Sequence, residues 1–243
     1  MKIYETVKMR DKIKIKVGVL IIGSLLWDEG NRENWRKNRL SMNRKIQVRA
    51  PIRYGRRSGV NKNLTMIFSS ECKDPIKNGT AYLVPFKNRE VKSFRGILNQ
   101  ARFLSSAEGA NDNFLKKGQE EWCTFGLLFN PLFSTKLKRS ILSKWEGALL
   151  KDFGLGNVDL YDSVLSESGE LNIDWLGAVD EDNQNVIDTF DVVIATCTRP
   201  TESPFPSAKT IAEDVKVDHR KYFYKNIEHG ITTFQDRRVF ECL

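Results

Sequence analysis

The 243-residue sequence is poor in the residue types that hold metals: it has two histidines, His219 and His229, and four widely spaced cysteines, Cys72, Cys123, Cys197 and Cys242. No C-x-x-C pair occurs, and these spacings do not assemble a Cys/His zinc set. No metal is therefore expected; no organic cofactor is expected either. Scattered cysteines in a chain of this length do not read as the disulfide framework of a small secreted domain, so reduced thiols are expected, with Cys197 buried in the apolar run VVIATC. Long apolar runs are missing as well. Val17–Trp27 (VGVLIIGSLLW) is too short to cross a bilayer. It follows a basic N-terminus and so imitates a signal peptide, but Asp28 and Glu29 stand where a small-residue cleavage site belongs. The expectation is a cytoplasmic protein with no membrane association. The P-loop spacing and the G-x-S-x-G elbow are absent too, which excludes the commonest nucleotide-binding and serine-hydrolase signatures.

Hydrophobic residues make up 40% and charged residues 29% of the chain, enough to bury a core and too apolar for wholesale disorder. The net charge of +8 is unevenly spread. Residues 1–62 hold seventeen Lys/Arg against five Asp/Glu, a balance of +12, whereas residues 152–191 hold eleven Asp/Glu and no Lys/Arg. A basic segment can mark a polyanion binder. Here it lacks a nucleic-acid motif and interleaved stacking aromatics, so solvated surfaces, or two segments facing each other, are preferred to nucleic acid. Within IRYGRRSG, Arg53, Arg56 and Arg57 stand out as possible anchors for an anionic substrate, Arg53 being assigned to the site, because guanidinium matches carboxylate geometry.

Periodicity supplies the elements. Lys12–Ile22 changes from alternating to continuously apolar, as a strand does on entering a buried sheet. Strands are also expected at Lys45–Tyr54, limited by Pro51, and at Leu64–Ser69, Gly79–Phe86, Trp122–Phe129 and Phe190–Thr198. Helical spacing appears over Arg89–Phe103, from Ser134 through Leu150, and from Ser207 towards Asn226 with Gly230 as its stop, and a short helix is expected within Trp27–Leu40. VDLYDSVL and NIDWLGAV read as further short strands. The mixture lacks regular βαβ spacing, so the expected fold is α+β: one domain over 1–243, a mixed, partly closed β-barrel or sheet with flanking helices, and an insertion over 131–191 comprising a helix and the acidic stretch.

Gly23-Ser24 ends the most apolar strand. Glycine allows a sharp turn there, and successive backbone amides can converge on an anion. The order of apolar strand, GSLLW, basic strand, LTMIFS, GTAYLVPF, helix, Glu108-Gly109 and strand resembles the γ-glutamylcyclotransferase-like family. The matching positions are Ile22-Gly23-Ser24-Leu25, Gly79-Thr80-Ala81-Tyr82 and Glu108-Gly109, over roughly residues 15–130 plus the strand near 192–198. The resemblance implies a site in which Ile22, Gly23, Ser24 and Leu25 bind a γ-glutamyl compound. Glu108 would act as general acid and base while the substrate's own amine attacks its γ-carbonyl and releases 5-oxoproline. The family's loop tyrosine is Ile22 here, so the site either does without that hydroxyl or draws one from elsewhere. Glu146-Gly147, a rival pair, lies mid-helix on a periodic apolar face and reads as structural.

The C-terminal run DHRKYFYKNIEHGITTFQD is dense in polar and aromatic side chains. It reads either as a terminus docked by hydrogen bonds or as a flap supplying Tyr222 or His229 to the substrate, and Tyr222 is counted in the site. Two other functions stay open: a binding module of the same fold without the chemistry, motivated by Ile22, and a polyanion binder resting on the basic segment.

Overall fold

The computed structural model describes residues 14–59, 62–109, 122–153, 158–219 and 221–243. The basic stretch 1–13, which includes the expected strand start at Lys12, the polar run 110–121 after Gly109, and Arg220 lie outside the described residues.

A six-stranded sheet forms the centre, built from β1 (Ile15–Ile21), β2 (Ile46–Ala50), β5 (Gly79–Val91), β6 (Cys123–Phe129), β7 (Gly177–Ala178) and β8 (Val192–Thr198) in the order β6-β8-β1-β5-β2-β7. β1 and β8 run parallel in register from Val17↔Val192 to Leu20↔Ala195, and the other pairings are antiparallel. Val17, Val19 and Ile21 are fully buried, and so is every residue of β8 from Val192 to Cys197. Each such aliphatic side chain contributes roughly 1.5–3 kcal/mol by leaving water. A separate hairpin pairs β3 (Ile52–Arg57) with β4 (Leu64–Phe68).

Seven α-helices flank these strands among the described residues: α1 (Asn31–Arg39), α2 (Phe94–Ala107), α3 (Thr135–Asp152), α4 (Gln184–Ile187), α5 (Ala208–Val217), α6 (Tyr222–Glu228) and α7 (Asp236–Cys242). No helix among the described residues is long and apolar enough to cross a membrane.

The fold is α+β, but the sheet is open rather than partly closed into a barrel. Its edges are β6 and the two-residue β7, which do not pair with each other. Pro51 divides the expected strand Lys45–Tyr54: β2 joins the large sheet and β3 the hairpin, since proline cannot donate to a continuous ladder. The helix expected from Arg89 starts at Phe94 because β5 continues through Val91, where Ile15 and Lys16 pair with Val91 and Glu90. VDLYDSVL forms a 3₁₀ turn at Val158–Tyr161 instead of a strand, and NIDWLGAV contributes only β7. The acidic stretch nevertheless buries Tyr161, Val164, Leu165, Leu171 and Leu176. The single C-terminal helix expected from Ser207 is two helices, parted at Lys221, which has a left-handed backbone (φ 54°).

Candidate functional site

Because β1 and β8 are parallel, their C-terminal ends open on the same side of the sheet. A cavity of about 750 Å³ lies there, within the range of roughly 300–1,000 Å³ typical of small-molecule sites. Ile22, Ser24 and Leu25 enter it from the end of β1, Thr196 and Thr198 from β8, Glu108 from the end of α2, Tyr222 from α6, and Arg56 and Met66 from the hairpin. Thr196 and Thr198 share a face of β8 because side chains two apart on a strand point the same way.

The Gly-Ser loop is a 3₁₀ turn, Gly23–Leu26. Gly23 has φ +64°, and a Cβ added to it would sit 2.2 Å from the Tyr222 hydroxyl oxygen. Glycine is needed on both counts: the left-handed backbone is costly for other residues, and only a bare Cα lets the phenol approach this closely. The Tyr222 hydroxyl thus lies against the loop itself, where it also accepts from the Met66 amide at 3.3 Å. Burial raises the phenol pKa, so the hydroxyl stays protonated. Trp27, just after the turn, packs edge-on against Tyr222 and donates its indole N–H to Asn226 Oδ1 at 2.7 Å, which ties the loop to α6.

Two arginines that the sequence reading did not single out hold this loop to α1. Arg32 and Arg36 are four apart and share one helix face. Arg36 donates to the carbonyls of Leu25 at 2.8 Å and Asp28 at 2.6 Å. Arg32 donates through Nη1 to Ser24 Oγ at 2.6 Å and to Asp28 at 3.1 Å, and through Nη2 to Glu108 Oε2 at 2.6 Å. One guanidinium therefore bridges the loop and the candidate acid/base. Burial works against the Arg32 charge, but Glu108 and Asp28 outweigh it and hold its pKa above the ordinary value.

Glu108 stands at the last turn of α2, its amide bonded to the Leu104 carbonyl, and Gly109 (φ +75°) ends the helix in the left-handed conformation common at that position. The Glu108 side chain is only 6% exposed. Burial raises its pKa above the ordinary carboxylate value, while Arg32, the Thr196 hydroxyl and Arg56 pull it back down. The Thr196 hydroxyl faces the carboxylate but does not complete a well-formed hydrogen bond with it.

Arg53 is the one assigned residue that the fold places elsewhere. It pairs with Glu71, and its guanidinium lies 4.2 Å from the Phe205 ring centre, away from the cavity lining. Its neighbour Arg56 lines the cavity instead. β3 has a bulge between them: Tyr54 faces Met66 and Arg56 faces Thr65, so two residues of one strand oppose one of the other. That step turns Arg56 off the Tyr54 side and onto the side of Thr65, which also lines the cavity. His229 lies beside Trp27, its ring centre 6.5 Å away and its Nδ1 2.7 Å from the Lys225 carbonyl, and does not line the cavity.

Three arginines of the basic segment find carboxylates outside the acidic stretch: Arg32 at Glu108, Arg53 at Glu71 and Arg57 at Asp214. Among the described residues no group of three or more His, Cys, Asp or Glu could hold a metal. The four cysteines are free, and Cys72, Cys123 and Cys197 are buried, their thiol pKa values raised by desolvation. No protein-family model, curated protein or solved structure matches this chain.

Proposed function

We propose that the protein is a γ-glutamylcyclotransferase-like enzyme that cleaves a γ-glutamyl amide or peptide to 5-oxoproline. The observation that carries this reading is that the Glu108 carboxylate and the Gly23–Leu25 turn share one cavity and are linked through Arg32. The substrate ammonium must lose a proton before its nitrogen can attack the γ-carbonyl. Arg32 favours the ionised, proton-accepting form of Glu108, and burial raises its affinity for the proton it receives. The nitrogen–carbon bond of the five-membered ring then forms. The bond to the leaving amine breaks as the proton held by Glu108 passes to that amine, and the second proton shed by the ring nitrogen follows by way of Glu108, so that the amine departs as an ammonium. The Tyr222 hydroxyl against Gly23 is a candidate for the role that Ile22 cannot fill.

Incubation with γ-glutamyl-alanine, glutathione or a γ-glutamylamine is expected to release 5-oxoproline. Glu108→Gln is expected to lower the rate by about 100-fold or more, the scale of general acid–base catalysis. Normal turnover by a folded Glu108→Gln protein removes Glu108 from the mechanism. The ion pair that engages Glu108, together with Ile22, favours a second reading as a binding module without chemistry. In that case γ-glutamyl compounds raise the melting temperature and no 5-oxoproline appears.

A further inference from the structure

Charge inside the cavity is unbalanced. Among the described residues, three arginines, Arg32, Arg56 and Arg199, line it against one carboxylate, Glu108. Arg32 is matched by Glu108 and Asp28. Arg56 and Arg199 make no ion pair among the described residues, whereas Arg57, next in the hairpin, is paired with both Asp214 and Glu202.

The two unmatched arginines both contact Trp122, Arg56 through its side chain and Arg199 through its backbone. The Arg56 guanidinium lies 5.0 Å from the centre of Trp122, and the Arg199 amide donates to the Trp122 carbonyl at 3.0 Å. Their backbones are rooted at one junction. The Thr65 hydroxyl donates to the Arg56 carbonyl at 3.0 Å, and the chain after Arg199 returns to the bulge, where the Thr201 and Glu202 amides donate to the Gly55 carbonyl at 3.0 and 3.2 Å. Within this wall the Arg56 Nε and the Thr198 Oγ1 are buried and have no hydrogen-bond partner. Burial also pulls the Arg56 pKa down, and Glu108, which acts on it without a direct ion pair, does not make up that cost. A buried donor without an acceptor is costly, and an anion carrying two oxygens relieves both defects together.

We propose that Arg56, Arg199 and Thr198 form a carboxylate subsite, so that the cavity takes a small ligand carrying two carboxylates. Applied to the cyclotransferase reading, on which the substrate assignment rests, this puts a free carboxylate on the leaving half of the substrate. The ammonium of a γ-glutamyl amino acid meets Glu108, its α-carboxylate lies on the Arg32 side, and the carboxylate of the departing amino acid lies at Arg56 and Arg199. A γ-glutamylamine leaves these two cations unmatched. The class selected is γ-glutamyl amino acids and peptides with a free C-terminal carboxylate.

The test is calorimetric titration with γ-glutamyl-alanine, γ-glutamyl-methylamide and glutarate. Glutarate is titrated into the unaltered protein, and both γ-glutamyl compounds into Glu108→Gln to prevent turnover. The expected result is binding of γ-glutamyl-alanine about 10–100-fold tighter than of the methylamide, the scale of one charge-assisted carboxylate contact. Adding Arg56→Met or Arg199→Met to Glu108→Gln should erase that ratio, and either change alone should weaken glutarate by a similar factor. If Glu108→Gln does not fold, glutarate titrations of the unaltered protein and of Arg56→Met decide the subsite, and the 5-oxoproline assay decides the cyclotransferase reading. Glutarate binding that depends on Arg56, with no binding of either γ-glutamyl compound, upholds the subsite and overturns the cyclotransferase reading. Methylamide binding without glutarate binding, or equal affinities for alanine and methylamide, overturns the subsite and leaves that reading standing. Binding of none of the three overturns both.

Discussion

Replacing Arg32 by methionine is the sharpest perturbation of this site. The change keeps much of the side-chain volume and removes the bonds to Ser24, Asp28 and Glu108 together. Asp28, 23% exposed, can turn to water, whereas Glu108 at 6% cannot. Stripping one partner from a buried pair costs about 3–5 kcal/mol when the other must stay charged. Glu108 has a cheaper escape, which is to take up a proton. Holding a carboxyl of ordinary pKa 4.5 protonated costs about 3.4 kcal/mol at pH 7 and under about 1 kcal/mol at pH 5. The sign follows from the raised pKa. In Arg32→Met the folded Glu108 binds its proton more tightly than the unfolded chain does, so stability is gained as the pH falls through the folded pKa and lost as it rises. Urea denaturation followed by the fluorescence of the buried Trp35 and Trp145 should therefore show a deficit near 3 kcal/mol at pH 7 that shrinks by about 2.5 kcal/mol at pH 5. In the double variant with Glu108→Gln the difference between the two pH values should vanish. A deficit below about 1 kcal/mol with no pH dependence, the behaviour of an exposed pair, would refute the reasoning.

Two further expectations follow from neighbouring geometry. Gly23→Ala forces a left-handed alanine and puts its Cβ into the Tyr222 hydroxyl, so a loss above about 2 kcal/mol is expected; a Tyr222→Phe background should recover part of it, and strictly additive losses in a double-mutant cycle would count against the contact. Burial raises the Asp236 pKa from 3.8 to about 6 against hydrogen bonds from the Thr233 amide and hydroxyl, so its ionised form costs the fold roughly 3 kcal/mol at neutral pH, and this contribution makes the protein more stable as the pH falls from 7 towards 4; Asp236→Asn should flatten that slope in denaturation curves.

The parts of this protein legible in its sequence are those governed by neighbours along the chain. The apolar run that becomes β1, the turn at Gly23, the limit set by Pro51 and the helix stop at Gly230 each rest on local sterics or side-chain period. Glu108 and the loop residues Ile22, Ser24 and Leu25 were identified from short motifs, and the fold does bring them to one cavity. The length of β5 was not legible, because its last residues are strand only where Ile15 and Lys16 pair with them. The two short strands expected in the acidic stretch were not legible for the same reason: among the described residues Gly177 and Ala178 pair with β2, and the stretch otherwise makes only isolated bridges, at Leu165–Leu171 and at Leu127–Glu170.

The sequence alone therefore determined that a Gly-Ser turn closes a buried apolar strand, since a left-handed glycine and a run of aliphatic residues require nothing distant. The tertiary structure decided what that turn meets. Arg32, eight residues past Ser24 on a polar helix, looks like any solvated arginine until the fold carries Glu108 across 76 residues to its guanidinium. The bulge at Gly55 then turns Arg56 onto the Thr65 side, where it shares the cavity with them, because register between two strands is a property of their pairing and is not written in either strand by itself.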